Sequence, residues 1–167
     1  MQQCSSDDLG PSQQTISAIV KETVYALTNL DVQRKFIVFP TSEAVTTTKQ
    51  REFLAHYGMH GIIGVIDGTH VWLLPPKEFE VEYVNRKGQH IINVQVVFDQ
   101  NYKFLDIIAR WPGSVHDARI LRESALFEDG RVFVGSHLLE DSGYPSQRWL
   151  LTPYQHPQPG PQTNYNR

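Results

Sequence analysis

Gly61-Ile-Ile-Gly-Val-Ile-Asp67-Gly-Thr-His70-Val-Trp-Leu-Leu74 limits what this chain can become more than any other stretch. A continuous Val/Ile/Leu run of this length reads as a strand buried on both faces. It climbs to one carboxylate, Asp67, between glycines at 64 and 68. A carboxylate away from water is costly unless it is paired or bound to a metal. Gly68 beside it lets another backbone or a ligand come close. Asp67 is therefore expected where a central strand opens into a site. The competing reading is a strand-to-turn aspartate that caps its own backbone.

The elements on either side follow from periodicity and punctuation. Ser12 is the expected N-cap of a helix over Gln13 to Leu30, with Ile16, Ile19, Val20, Val24 and Leu27 at helical spacing. Its pattern resembles the second helix of a helix-turn-helix, although a plain packing helix competes with that reading. Phe36-Ile-Val-Phe-Pro40 is a short apolar run stopped by proline, and Thr41 or Ser42 caps a second helix running to about His56. After Pro75-Pro76 comes a polar loop from Lys77 to Gly88. Its basic tip, Asn85-Arg86-Lys87-Gly88, is either a solvated turn or a contact for phosphates.

A hairpin is expected next. Ile91 to Phe98, with Ile92, Val94, Val96 and Phe98 on one face, turns at Asp99-Gln-Asn-Tyr102 and returns over Lys103 to Trp111. A helix from Ser114 to about Phe127 follows, then a strand from Phe133 to Leu139 that stops at Glu140-Asp141. From Pro153 the chain is rich in Pro and Gln, and little fixed structure is expected there. The expected divisions are an N-terminal helical segment over 1–60, a mixed α/β core over 61–152 and a tail over 153–167.

Composition enters as a set of exclusions. The 167 residues suffice for one domain with a real core, and no apolar run is long enough to span a membrane. Cys4 is the only cysteine, so an internal disulfide and a thiolate metal cage are ruled out, and a reducing intracellular compartment fits. The start carries no basic n-region and no apolar h-region of a secretory signal. A formal net charge of −3 argues against binding nucleic acid by bulk positive charge. It leaves room for an enzyme acting on nucleic acid, because carboxylates that hold metal ions depress the total.

Three aspartates, Asp67, Asp117 and Asp141, stand at strand or helix ends. A crossover helix between the Asp67 and Asp141 strands lets them run side by side and parallel. Their carboxylates would then meet at the carboxyl end of the sheet, where open α/β sheets bind ligands. Such a pair suits Mg²⁺ or Mn²⁺, which take oxygen ligands. These ions activate water and steady the leaving oxygen of a phosphodiester; a two-metal site would hold them ~3.5–4 Å apart. Structural roles compete at each position. Asp117 stands three residues after Ser114, a capping-box spacing, and Asp141 precedes Ser142-Gly143 as an Asx-turn residue would. His70 and His116 read as satisfied polar groups rather than ligands. Ser142 lacks a Gly-x-Ser-x-Gly elbow, which weakens a serine hydrolase reading.

Five motifs follow one another in order: Gly64-Val-Ile-Asp-Gly-Thr-His70, Tyr83-Val-Asn-Arg-Lys-Gly88, Trp111-Pro-Gly-Ser-Val-His-Asp117, Leu138-Leu-Glu-Asp-Ser-Gly-Tyr-Pro145 and Trp149-Leu-Leu-Thr-Pro153. Over residues 9–167 the chain resembles the PIF/Harbinger transposases and the nucleases derived from them. The resemblance implies an RNase H-like DDE nuclease core acting on DNA with divalent metal ions. Asp67 matches the family's first metal carboxylate, Asp141 the one on the neighbouring strand, and Asp117 another acidic position attributed to metal binding. It further implies a nuclear protein, with the cytoplasm as a second compartment, that works with a Myb-like DNA-binding partner.

Two departures from the family pattern bear on activity. Glu140 stands where the family usually has glycine, so an extra negative charge is expected to crowd the site. The family's last catalytic glutamate lies downstream of Asn-Tyr-Asn-Arg167. The expectation is therefore a partial core without its last strand and covering helices, with weak or absent activity. The alternative is a non-catalytic DNA- or protein-binding module derived from a transposase.

Overall fold

The computed structural model describes residues 10–128, 132, 134–141 and 143–165. Cys4, Phe133, Ser142 and the closing Asn166-Arg167 lie outside them. The chain divides into two compact units between Val38 and Phe39.

The first unit holds α1 (Gln13–Leu27) and α2 (Leu30–Phe36). Ser12 caps α1 as expected, its hydroxyl accepting from the Thr15 amide at 3.2 Å. The helix does not continue to Leu30, because Asn29 becomes the N-cap of α2 and accepts from the Asp31 amide at 2.9 Å. A short polar side chain that bonds the backbone ahead of it starts a new helix instead of extending the old one. No residue of α1 is buried, and Ile19, Val24 and Leu27 of its apolar stripe are exposed.

The second unit is built on one sheet. Its elements are α3 (Glu43–Tyr57), β1 (Ile62–Trp72), a 3₁₀ turn (Glu80–Tyr83), β2 (Ile91–Phe98), β3 (Phe104–Pro112), α4 (Asp117–Arg122), α5 (Ala125–Glu128), β4 (His137–Leu139), β5 (Leu150–Leu151) and α6 (Pro161–Tyr165). Ser42 caps α3, and Gly58 ends it in the left-handed region at φ 70°. α3, grouped by sequence with the N-terminal segment, shares this unit with the sheet. The strand order is β3-β2-β1-β4-β5. β2 is antiparallel to both of its neighbours, whereas β4 and β5 run parallel to β1. This is the mixed α/β architecture expected of an RNase H-like core.

Four details correct the sequence reading. The last strand is present: β5 pairs Leu150 and Leu151 with Leu138 and Leu139 of β4. The helix expected over 114–127 is two short ones, α4 and α5, because the buried Ser124 hydroxyl donates to the Leu121 carbonyl at 2.6 Å and closes α4. On β2 the more deeply buried face is Ile91, Asn93, Gln95 and Val97, opposite the expected apolar row. The tail forms a helix, α6, with Tyr165 edge-on to Tyr154 at 5.5 Å between ring centroids.

Ile63, Ile66, Val97, Leu121, Leu126, Leu138 and Leu150 fill the core, so β1, β2, β4, β5 and both short helices contribute to it. Gly64 sits where strands crowd. A Cβ there would lie 2.7 Å from the Phe98 carbonyl oxygen, with Leu105 and Leu138 methyls at 3.3 and 3.4 Å. Backbone cannot step aside as a side-chain tip can. Gly64→Ala is therefore expected to destabilise the chain by about 2–4 kcal/mol in urea melts. A loss under ~1 kcal/mol would show that β1 and β2 slide apart freely. Among the described residues no helix is long and apolar enough to cross a membrane.

Candidate active site

β1 is buried as far as Ile66 and exposed from Asp67 onward. The change coincides with the end of β4, whose last pairing sets Val65 opposite Leu139. Carrying that register two residues further sets Asp141 level with Asp67 at the carboxyl end of the sheet. Electrostatics agrees: the Asp67 carboxyl is raised above its usual range, first by burial and then by the charges of Asp141 and Asp117, with the Gly68 backbone bond opposing. The strand expected to be buried on both faces is enclosed only as far as Ile66, and Asp67 stands exposed beyond it.

Asp117 arrives from the other side of Gly68. A Cβ at Gly68 would meet its Oδ1 at 2.8 Å and its Cγ at 3.0 Å, so glycine is what lets the carboxyl lie against β1. The capping reading fails here. The N-cap of α4 is His116, not Ser114, and it makes no side-chain cap bond. Asp117 Oδ1 instead accepts from Asn93 Nδ2 at 2.8 Å, and the same amide donates to the Val115 carbonyl at 3.1 Å. Asn93 is 2% exposed, on the inner row of β2. Sequence reasoning missed it, and the signal was a polar residue inside an otherwise apolar strand. Asp141 does form the Asx turn, its Oδ1 accepting from the Gly143 amide at 2.8 Å. That bond occupies one oxygen face and leaves the carboxylate exposed beside Asp67.

Two further groups, Tyr144 and Glu140, feel the charge of the aspartates. Tyr144 is buried, and among the described residues its hydroxyl has no hydrogen-bond partner. Its pKa is driven up by burial first, then by the charges of Asp117, Asp67, Glu140 and Asp141. Glu140 is 8% exposed, and among the described residues neither of its oxygens finds a partner in good geometry. Burial, followed by the Asp141 charge, pushes its pKa up to about 8, with the Tyr144 amide working the other way. Glu140 is thus mostly protonated at neutral pH, and the extra charge expected to crowd the site is largely absent.

Among the described residues, no Lys, Arg or His pairs with Asp67, Asp117 or Asp141. The cluster is unneutralised and made of hard oxygen donors, the set that Mg²⁺ and Mn²⁺ prefer. Fit in kind is not yet enclosure: no three His, Cys, Asp or Glu side chains among the described residues are gathered closely enough to hold an ion. His116 engages Arg86 at 2.8 Å.

A mixed β3-β2-β1-β4-β5 sheet with Asp67 midway along β1 and Asp141 just past β4 is the arrangement of an RNase H-like core. The chain belongs to the DDE superfamily of endonucleases, whose family profile matches residues 66–167. Its relatives include "Putative nuclease HARBI1" of Mus musculus, 38% identical over 164 residues, covering 96% of this chain and 46% of that protein. The Homo sapiens protein of the same name is 36% identical over 163 residues, with the same coverage. "Protein ALP1-like" of Arabidopsis thaliana is 34% identical over 128 residues, 66% of this chain and 32% of that relative. The kinship read from the five motifs holds. The chain spans about half the length of the curated relatives it matches. No solved structure matches it significantly.

Proposed function

We propose that the chain carries the metal site of a Harbinger-type DNA endonuclease. Asp67, Asp117 and Asp141 would hold one or two Mg²⁺ or Mn²⁺ ions. The observation that supports this reading most is the placement of the three unneutralised carboxylates: that of Asp117 lies against Gly68, the residue after Asp67, and a Cβ at Gly143 would sit 3.0 Å from Asp141 Oδ1 and 3.9 Å from Asp117 Oδ2. Bound there, the ions supply water activation and charge stabilisation at the leaving oxygen of a phosphodiester. The chain's own residues prepare the place: Asn93 fixes the Asp117 carboxyl, the Gly143 amide fixes that of Asp141, and Gly68 leaves room for the Asp117 carboxyl beside β1. On this reading the protein works on nuclear DNA beside a Myb-like DNA-binding partner.

The carboxylates do not yet enclose an ion, so weak cleavage is expected of residues 1–167 alone. The test is nicking of supercoiled DNA as Mg²⁺ or Mn²⁺ is titrated, with EDTA and Asp67→Asn as controls. Cleavage indifferent to metal removes the enzyme reading. Complete absence of cleavage leaves the non-catalytic binding module.

Gly68→Ala probes the same site without touching a carboxylate. The added methyl must push the Asp117 carboxyl off its place beside β1. Most of the melting-temperature rise that Mn²⁺ confers should vanish, while metal-free stability falls by no more than ~1.5 kcal/mol. An undiminished rise would show that Asp117 takes no part in holding the ion.

A further inference from the structure

We propose that Arg86 and Lys87, with the cavity they wall, form a phosphate subsite that holds a nucleic-acid backbone against the Asp117 side of the acidic cluster. The proposal rests on the nuclease reading and names how its substrate is gripped. An open cavity of about 490 Å³ lies between the Asn85–Gly88 loop and the start of α4, lined among others by His70, Arg86, Lys87, Asn93, His116 and Asp117. Cations form one wall and a carboxylate of the candidate metal site stands at the other.

Arg86 is held in a way that a solvated turn does not require. Its Nη2 donates to His116 Nε2 at 2.8 Å. A guanidinium stays protonated and has no lone pair, so the ring must accept through Nε2 and keep its proton on Nδ1. The partner orients the cation without cancelling its charge. Among the described residues neither Arg86 nor Lys87 forms an ion pair, and the nearby Glu80 is taken by His90 at 2.8 Å. The loop that presents them has a set shape: Asn85 Oδ1 accepts from the amides of Lys87 and Gln89 at 2.9 and 3.0 Å, and Gly88 turns the chain at φ 74°.

The cavity is also unfinished at its floor. The Asn93 side chain is buried, and among the described residues its Oδ1 has no partner, although its Nδ2 is doubly used. A buried acceptor left open calls for a donor from outside, such as a hydroxyl or a water carried in with a ligand. A sugar–phosphate strand answers both demands. Its anionic oxygens suit an oriented guanidinium and a neighbouring ammonium, and its next phosphate would reach the aspartates, where a cation is expected. A chain with a net charge of −3 can grip nucleic acid only through such a local site.

The test is the affinity of residues 1–167 for a duplex oligonucleotide in EDTA, measured across salt concentrations. Arg86→Gln combined with Lys87→Gln should weaken binding roughly 5- to 30-fold near 50 mM salt and flatten the plot of log Kd against log salt by about 1 to 2. Both side chains are exposed, and unchanged melting curves would verify folding. Lys103→Gln with Arg122→Gln removes the same charge elsewhere and should change neither quantity. Equal losses in the two double variants, unchanged binding in the first, or no binding by the unaltered chain would each overturn the subsite. The two proposals separate cleanly. Metal-dependent nicking with binding indifferent to Arg86 and Lys87 keeps the nuclease and discards the subsite; binding lost with those residues but no nicking in any metal does the reverse.

Discussion

With Mg²⁺ or Mn²⁺ present, Asp67→Asn is expected to slow nicking of supercoiled DNA by roughly 100-fold or more while the chain melts no lower than before in EDTA. The two halves of this result have one cause. Asn keeps the shape of the side chain on β1 but removes the charge an ion would bind. Without metal, that charge is unfavourable: the Asp67 carboxyl is raised by its partial burial and then by Asp141 and Asp117. Removing it relieves repulsion. Loss of nicking together with a lower melting temperature would point to a folding role for Asp67. Unchanged nicking would place the chemistry elsewhere.

Glu140→Gln is expected to stabilise the metal-free chain at pH 8 by about 2–4 kcal/mol and to leave it little changed near pH 4.5. In the folded chain Glu140 keeps its proton up to about pH 8; unfolded, it loses it near 4.5. Across that interval the unfolded chain binds fewer protons, so stability present below pH 4.5 drains away as pH rises through 8. Gln carries no charge to bury, and its stability should run flatter over the same range. Urea melts at several pH values decide the matter. Parallel curves for the two proteins would mean that Glu140 ionises as easily inside as outside.

The architecture was legible where a pattern is local and long. The apolar run into Asp67 announced β1, and Ser12 and Ser42 announced their helices through cap chemistry that needs only neighbours. β5 escaped because two leucines, Leu150 and Leu151, become a strand only by pairing with β4. α4 and α5 escaped because Ile120, Leu121 and Phe127 keep helical spacing across a break made by one serine hydroxyl. At the site, Asp67 and Asp141 could be placed from topology, whereas the hold of Asn93 on Asp117 depends on two strands and a helix meeting. The protonation of Glu140 was equally hidden, since burial sets it and no single stretch of sequence encodes burial.

Glu140 and Asp141 are consecutive acids directly after β4, so carrying on the strand's alternation decides which of them is presented and which is shut in. Leu138 settles the choice. Its side chain is wholly enclosed beside Ile66 and Leu150, and moving β4 by one position would turn that leucine outward as it swapped the acids. An ordinary aliphatic residue, three places before the reactive one and chemically inert, thereby selects the acid that the molecule offers to its surroundings.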